Sequence, residues 1–395
     1  MDDKFIYLDH CATTPIDEQV LAAMLPYFTT YYGNASSISH RIGRYAAEAV
    51  ELARQYVARL IGASPKEITF TSGATESINQ AIKGIFANYQ QIGKHIITCV
   101  TEHPAVLDVC AYLRKEGANI TFLPVDNLGH IDLQLLDKSI RNDTIMIILM
   151  AANNETGVIH PIAEIGAIAK KHKVLFLCDA TQAIGKVPID VNQQHIDILA
   201  LSAHKFYGPK GAGALYIKRR ATPIQIGSLL HGGRQENTQR AGTLNVPGIV
   251  GLGKASQIAS ASFNTGEENL SELRDLLEHH LLAIPETYVN GDRTERLAHV
   301  TNICFKYVKG NDIMNRLPQL ALSSGSACAS GLREPSPVLL AMGVSTTDAH
   351  CSIRFSLGKA NTKEDIMLAV KLITETVNKL RDESPVWQMH VAGIL

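Results

Sequence analysis

The hydrophobic positions of this chain follow two spacings that alternate along most of its length. Short apolar runs are typical of buried strands, whereas apolar residues three and four positions apart predict the buried side of a helix. We predict strands at residues 5–9, 68–71, 95–100, 120–123, 144–150, 174–178, 196–201 and 212–217. Helices are predicted within residues 17–25, 46–61, 78–85, 106–115, 133–139 and 163–172. This alternation indicates an α/β fold with a mostly parallel central sheet covered by helices on both faces.

The pattern changes after Gly253. A helix precedes strands at residues 302–307 and 352–356, and the final helix opens at Thr362. Asp365 stands three residues after Thr362, which is the spacing of a capping box. This part of the chain predicts a second, smaller α+β domain.

Polar residues follow several of the predicted strands of the large sheet. Ligands of such sheets bind beyond the carboxyl ends of the strands, so we expect these residues to share one site. They are Ser72 and Gly73, residues 101–103, residues 153–155, Asp179 with Gln182, and Ser202 with His204 and Lys205.

Lys205 lies between two predicted buried strands, close to the hydroxyl of Ser202 and the imidazole of His204. Desolvation lowers the pKa of a lysine, and the free amine is the form that makes a Schiff base. An exposed turn is the other interpretation of the same residues. Asp179 ends another buried strand, where a carboxylate needs a partner. It either caps the following turn or holds a proton on a heterocyclic nitrogen of a bound cofactor.

Three further segments offer binding or catalytic groups, and each has a structural alternative. Residues 71–75 join a strand to a helix, so their amides and hydroxyls form either an anion site or a plain helix cap. His103 follows a strand and is either catalytic or structural. Arg354 could bind a carboxylate through two hydrogen bonds from its guanidinium, or it could form an ordinary surface salt bridge.

Cys328 lies in a loop of small residues, 323–331, which is unusual for a residue type that prefers burial. Reactive thiols occur in partly exposed polar surroundings, although a loop cysteine can also be incidental. The 7 cysteines of the chain are scattered and include no Cys-x-x-Cys pair. We therefore expect no disulfide framework and no metal site.

Composition narrows the class of protein. The chain of 395 residues is 46% hydrophobic and 19% charged, which is typical of a globular enzyme. Its formal net charge of -1 gives no reason to expect binding to nucleic acid or to an anionic membrane surface. The acidic residues 1–4 do not resemble a secretory signal, and the apolar run 145–152 is too short to span a bilayer. We expect a soluble, cytoplasmic protein.

A lysine suited to a Schiff base, an upstream aspartate, a phosphate-type helix start and an arginine clamp together describe a pyridoxal-phosphate enzyme. The chain resembles the cysteine desulfurases of the NifS/IscS kind, in the class V aminotransferase group of fold-type I pyridoxal-phosphate enzymes. The resemblance covers nearly the whole chain. The motifs that carry it are Thr-Ser-Gly-Ala-Thr-Glu-Ser at 71–77, Asn-Asn-Glu-Thr-Gly at 153–157, Asp-Ala-Thr-Gln at 179–182, Ser-Ala-His-Lys at 202–205, Ser-Gly-Ser-Ala-Cys at 324–328, Glu-Pro-Ser at 334–336 and Ser-Ile-Arg-Phe at 352–355.

The resemblance implies how pyridoxal 5'-phosphate is bound. Lys205 would hold it covalently and then shuttle protons. Asp179 would keep the pyridine nitrogen protonated, and Gln182 would bond the ring hydroxyl with Asn154 close by. His103 would stack on the ring and take part in proton transfer. The phosphate ligands would be Ala74, Thr75, Ser202 and His204, together with Thr243 from the other subunit of a homodimer.

The resemblance also implies the reaction. Arg354, helped by Asn34, would bind the carboxylate of L-cysteine, and Cys328 would attack the sulfur of the substrate. The products would be L-alanine and a persulfide on Cys328. The loop at about 323–336 would then carry sulfur to an acceptor, in the manner of the family members with a long mobile loop. Another class V enzyme, such as a selenocysteine lyase or an aminotransferase, would keep Lys205 and Asp179 without needing the thiol.

Several finer expectations follow from the same resemblance. The large domain would span residues 16–259, and the small domain would combine residues 1–15 with 260–395. The acceptor would be an iron–sulfur scaffold or a tRNA-thiolation relay, and Cys328 could transiently ligate a cluster shared with a scaffold. Family members that feed a scaffold usually have a longer C-terminal tail, so scaffold docking is less secure here than the desulfurase step. Cys11 stands where the family commonly has Ser or Asn. We expect it to be structural, and the alternative is that it accepts sulfur near the site.

Overall fold

The computed structural model describes residues 5–262, 267–325 and 334–394. Its strands are β1 Ile6–Tyr7, β2 Ile68–Thr71, β3 His95–Cys99, β4 Asn119–Leu123, β5 Thr144–Met150, β6 Leu175–Asp179, β7 Ile198–Ser202, β8 Gly213–Ile217, β9 Thr287–Val289, β10 Val300–Phe305, β11 Leu320–Ala321 and β12 Ser352–Ser356. Its α-helices are α1 Glu18–Met24, α2 Pro26–Thr29, α3 Arg41–Leu60, α4 Ala74–Tyr89, α5 Pro104–Lys115, α6 Leu133–Ser139, α7 Ile162–His172, α8 Val246–Ser262, α9 Glu267–Leu281, α10 Gly310–Arg316, α11 Pro337–Ala341, α12 Thr346–His350, α13 Lys363–Asp382 and α14 Pro385–Val391.

The central sheet has seven strands in the order β2-β8-β7-β6-β5-β3-β4. The neighbours from β7 to β4 are parallel, whereas β8 is antiparallel to both β7 and β2. Because β2 is antiparallel to β8, it points the same way as the parallel strands. The polar residues that follow β2, β3, β5, β6 and β7 therefore meet at one edge of the sheet. The predicted α/β fold with a mostly parallel sheet is confirmed.

Helices cover both faces of this sheet, as the apolar strand pattern predicts. Side chains alternate between faces along a strand, so Ile147 and Leu149 of β5 join one core while Met146 and Ile148 join the other. The first core includes apolar residues of α3, α7 and α8. The second includes those of α4 and α5. The sheet is thus buried on both sides, and open space for a ligand is left at its edges.

A smaller antiparallel sheet, in the order β12-β10-β9, packs with α9 and α13. The N-terminal strand β1 pairs with β11 in parallel, and Ile6 and Leu8 belong to the same small core. The predicted capping box of Thr362 and Asp365 begins α13. The domain boundaries at 15/16 and 259/260 stay a prediction.

Helix α8 is the main element that the pattern did not predict. Its sequence is rich in Gly, Ala and Ser, so it shows no apolar stripe. The small residues instead permit close packing against α3: a Cβ at Gly253 would lie 2.5 Å from the Cα of Ala53. Hydrophobic periodicity misses a helix that is selected for close approach.

Candidate active site

A cavity of about 410 Å³ opens at the edge of the sheet where the parallel strands end. Most of the site residues predicted from the sequence line it: Ala74, Thr75, His103, Asn154, Asp179, Gln182, Ser202, His204, Lys205 and Arg354. The predicted convergence of the strand ends is therefore correct.

One wall of the cavity is the N-terminus of α4. Gly73 precedes the helix with a φ of +155° and makes no side-chain cap, so the first-turn amides are not capped from within the helix. The hydroxyl of Ser202 lies 3.5 Å from the position that a Gly73 Cβ would take. Glu76 accepts a hydrogen bond from the Ser72 amide at 2.8 Å and so holds the turn. Amides at a helix start, with hydroxyls beside them, form a suitable anion site.

Lys205 ends the short 3-10 turn that follows β7. Its Nζ donates to the carbonyl oxygens of Cys11 and Ala12, at 2.7 Å each. The N-terminal segment is itself tied to this turn, because the Thr14 amide and hydroxyl both donate to the His204 carbonyl, at 2.9 and 3.0 Å. The amine is thus half-buried at the cavity wall and held by backbone groups.

Asp179 is the last residue of β6 and is only 5% exposed. Its Oδ1 accepts hydrogen bonds from the amide and the hydroxyl of Thr181. Gln182 follows on the same segment, and its Nε2 donates to the Cys11 carbonyl at 3.0 Å. Both side chains of the Asp-Ala-Thr-Gln motif therefore have a fixed orientation before any ligand binds.

Two imidazoles line the cavity, and both have a lowered pKa. Burial lowers the pKa of His103, with Asp179 opposing this effect and Lys205 adding to it. Its Nδ1 accepts the Ala105 amide at 3.1 Å as the N-cap of α5, which leaves Nε2 as the protonated nitrogen of the neutral ring. Burial and the charges of neighbouring lysines lower the pKa of His204 to about 4. Both rings are therefore neutral near pH 7.

Arg354, on β12, reaches the cavity from the smaller sheet and is 1% exposed. It donates to the Asn154 carbonyl at 2.7 Å and to Asp9 Oδ1 at 2.6 Å. Burial lowers the pKa of the guanidinium, but Cys11 and Asp9 raise it, and the pKa is raised overall. Its Nε is buried without a partner among the described residues. The arginine is thus charged, held in place and not saturated with acceptors.

Cys328 lies outside the described residues, but both flanks of its segment are described. On one side, the Ser323 carbonyl accepts the Arg354 amide at 2.7 Å. On the other side, the Ser336 hydroxyl donates to Glu155, which directly follows Asn154. Both flanks are therefore attached to residues of the cavity wall or to their immediate neighbours.

Two predicted site residues do not line the cavity. Asn34 is exposed, and its Oδ1 accepts the Ser36 amide at 2.9 Å. Thr243 is exposed as well. It lies three residues after Arg240, whose Nε donates to Glu76 Oε1 at 2.8 Å. The substrate role of Asn34 and the contact of Thr243 with a second subunit stay predictions.

Several groups that hold the site from behind cannot be recognised from the sequence. The Cys11 carbonyl accepts both Lys205 and Gln182, and a backbone acceptor leaves no signal in a sequence. Asp9 pairs with Arg354 across the two ends of the chain. Lys186 donates to Gln182 Oε1 at 3.2 Å, and its position four residues after Gln182 is the one signal that could have indicated the contact.

Known proteins share this architecture. The family described as Aminotransferase class-V matches residues 6–368. The cysteine desulfurase IscS of Anaeromyxobacter dehalogenans (strain 2CP-C) is 50% identical over 390 residues, which is 98% of this chain and 96% of that protein. The cysteine desulfurase IscS of Histophilus somni (strain 129Pt) is 48% identical over 391 residues, with the same coverage of 98% and 96%.

Solved structures agree with these relatives. A NifS-like protein superposes with a TM-score of 0.89 at 37% identity, covering 95% of this chain and 99% of that one. SspA in complex with cysteine superposes with a TM-score of 0.79 at 33% identity, covering 90% and 100% of the two chains. The chain therefore belongs to the aminotransferase class-V family and, within it, to the cysteine desulfurases.

Proposed function

We propose that this protein is a pyridoxal-phosphate-dependent cysteine desulfurase that converts L-cysteine to L-alanine and takes the sulfur onto Cys328. The observation that carries the proposal is the attachment of both flanks of the Cys328 segment at the cavity wall. The chain on either side of residues 326–333 is therefore held next to residues of the cavity that contains Lys205 and Arg354.

The residues of the cavity fit the cofactor on which this family depends. The uncapped start of α4, with Thr75, Ser202 and His204, offers donors for a phosphate. Asp179 is a buried carboxylate with an oxygen left for a ring nitrogen, because its bonds to Thr181 use Oδ1. Lys205 supplies the amine for covalent attachment. When bound, pyridoxal phosphate supplies an electron sink for the bonds at the substrate's α-carbon.

The remaining groups would act on the substrate itself. Arg354 would bind the carboxylate of L-cysteine through the part of its guanidinium that Asp9 and Asn154 leave available. Lys205 and the neutral His103 would move protons at the substrate carbons, because both line the cavity and each has a nitrogen that can take up and release a proton.

Sulfur transfer would then take place at Cys328. Its thiolate would attack the substrate sulfur, a sulfur–sulfur bond would form and the carbon–sulfur bond would break. The electron pair of the broken bond would stay with the substrate carbon, which takes up a proton and leaves as L-alanine. The persulfide on Cys328 would hold the oxidised sulfur until a reductant or an acceptor protein removes it.

The oligomeric state, the sulfur acceptor and the cellular location belong to the same proposal. We infer from the family resemblance a cytoplasmic homodimer that passes sulfur to an acceptor for iron–sulfur cluster or thio-cofactor synthesis, and the name IscS of the relatives fits such an acceptor. Thr243 would reach the phosphate of the second subunit. No helix in the described ranges has both the length and the apolar character needed to cross a bilayer.

The test is product formation by the purified protein loaded with pyridoxal phosphate. With L-cysteine and a thiol reductant, we expect alanine and sulfide in equal amounts. Cys328→Ala should keep the visible absorbance of the bound cofactor and lose sulfide release. A variant that releases sulfide from L-cysteine at the original rate would instead favour a thiol-independent class V reaction, such as that of a selenocysteine lyase.

A further inference from the structure

Lys186 stands directly behind the cofactor cavity. It is half-buried, and it does not line that cavity. It lines a second cavity of about 270 Å³, which shares Lys205 with the first. Its Nζ donates to Gln182 Oε1 at 3.2 Å, and Gln182 Nε2 donates to the Cys11 carbonyl at 3.0 Å. The same carbonyl accepts Lys205 Nζ at 2.7 Å, so hydrogen bonds connect the two lysines through Gln182 and Cys11.

This arrangement determines which way the Gln182 amide points. A side-chain amide has two orientations that exchange its oxygen and nitrogen, and its neighbours decide between them. Lysine ammonium only donates hydrogen bonds, whereas the Cys11 carbonyl only accepts them. Both neighbours therefore require Oε1 toward Lys186 and Nε2 toward Cys11. Nε2 has two hydrogens, and the Cys11 carbonyl uses one of them.

We propose that Lys186 is a positioning residue that fixes the Gln182 amide with its nitrogen toward the cofactor, so that the second hydrogen of Nε2 is donated to the ring oxygen. The inference rests on the proposed function, because the acceptor is the ring oxygen of pyridoxal phosphate. Without Lys186, only the Cys11 carbonyl favours this orientation, and the amide turns more readily to place its oxygen against the ring oxygen, where two acceptors would face each other.

Lys186 specifies the amide orientation most strictly when it is protonated. Burial lowers the pKa of Lys186 to about 8, with Cys11 opposing the effect and Lys205 and Arg354 adding to it, so the ammonium form still predominates at pH 7. An uncharged amine can donate to Gln182 Oε1 but can also accept from Nε2, so only the ammonium excludes the turned amide. Methionine at this position keeps the length of the side chain and removes every donor.

The experiment is a double-mutant cycle on cofactor affinity. The full-length protein is stripped of cofactor, and the apparent dissociation constant for pyridoxal phosphate is measured from its visible absorbance. We expect Lys186→Met to raise that constant about five- to tenfold, the loss of one well-placed hydrogen bond. Lys186→Arg should stay within about twofold of the original protein. In a Gln182→Ala background, Lys186→Met should have no further effect, because the two residues act as one unit.

Lys359→Met is the matched control, since Lys359 lines the same second cavity but pairs with Asp17. It should leave cofactor affinity unchanged. An effect of Lys186→Met that persists in the Gln182→Ala background, or no effect at all, would overturn the inference. If Gln182→Ala itself leaves the affinity unchanged, the assignment of Gln182 in the proposed function fails, and the inference fails with it. If thermal unfolding shows that Lys186→Met is not folded, Lys186→Gln is used in its place. A glutamine at position 186 is shorter than the lysine and does not reach Gln182.

Discussion

Asp9 and Arg354 are 345 positions apart and form an ion pair of 2.6 Å at the wall of the cofactor cavity. Arg354 is almost fully buried, whereas the Asp9 side chain is 17% exposed. A buried arginine without this partner would leave a charged donor unsatisfied. The pair therefore connects the N-terminal segment to the residue that is proposed to bind the substrate.

We predict that Asp9→Ala raises the KM for L-cysteine about tenfold or more, because Arg354 loses an acceptor that holds its orientation. Asp9→Asn keeps an oxygen at the same place and should change KM by less than about threefold. Steady-state kinetics of both variants provide the measurement. Asp143→Ala, which removes an acid from the exposed pair with Arg141, is the control. Equal effects of the two Asp9 variants would contradict a role in orientation.

Another buried ion pair joins Arg54 to Glu236. Two hydrogen bonds of 2.8 Å join the side chains, and Glu236 Oε2 also accepts the Phe70 amide of β2 at 2.7 Å. Glu236 begins three consecutive non-glycine residues with positive φ, so the pair stabilises a strained turn.

We predict that Arg54→Met lowers the free energy of unfolding by about 3–5 kcal/mol, since it leaves a buried carboxylate without its partner. Arg54→Met combined with Glu236→Gln should recover part of that loss. Arg141→Met, in a pair that is half exposed on both sides, should change the free energy by less than about 1 kcal/mol. Denaturant unfolding of the three variants measures these differences. A loss no larger for Arg54→Met than for Arg141→Met would contradict the account.

Glu102 is a buried acid beside the site. Burial raises its pKa well above the ordinary value, with the Met150 amide opposing this effect and Asp179 adding to it. Burial therefore favours the neutral acid, and its Oε1 accepts the Met150 amide at 2.7 Å. Glu102→Gln has the same shape and charge as the neutral acid, so we expect unchanged turnover and stability.

Glu102→Ala should instead lower the free energy of unfolding by about 1–3 kcal/mol, because the Met150 amide loses its acceptor. Chemical unfolding and alanine release measure both variants. A large loss of activity in Glu102→Gln would show that the ionised form of Glu102 is required.

His160 predicts how stability depends on pH. It is 2% exposed, neither ring nitrogen has a partner among the described residues, and burial lowers its pKa to about 4. In the unfolded chain the pKa of this histidine is about 6.5. Between that pH and the folded value of about 4, the unfolded chain binds a proton that the folded chain does not. Stability contributed by the neutral ring is thus complete above about pH 6.5 and is lost as pH falls toward 4.

The full contribution is about 3 kcal/mol for a shift of this size. Across this range, the unfolding free energy should change less steeply with pH in His160→Leu than in the original protein. The difference in slope should correspond to about one bound proton. Denaturant unfolding at about pH 7, 5.5 and 4.5, one value above the range and two within it, compares the two proteins. Parallel curves for His160→Leu and the original protein would contradict the assignment.

Hydrophobic runs were sufficient to predict the strands that carry the site. Strands β2 and β5 have the predicted bounds, and β6 and β7 lie within two residues of theirs. Lys205 and Asp179 follow from this, because a polar residue at the end of an apolar run is visible in the sequence. The parallel arrangement then brings the two strand ends together without knowledge of any side-chain contact.

The parts that could not be predicted depend on contacts across the chain. The antiparallel direction of β8 leaves its apolar pattern unchanged, and the small residues of α8 hide its buried face. The pairing of Asp9 with Arg354 and the acceptor role of the Cys11 carbonyl arise only when the chain ends meet. Cys328, whose role was taken from the family motif, lies outside the described residues.

We propose that sulfur from L-cysteine passes to Cys328. The most direct measurement is peptide mass spectrometry of the protein loaded with pyridoxal phosphate after one turnover without reductant. We predict one added sulfur atom on the peptide that contains Cys328, with none on the peptides that contain Cys11 or Cys351. Stoichiometric alanine release with no added sulfur on Cys328, or the same sulfur on another cysteine, would contradict the account.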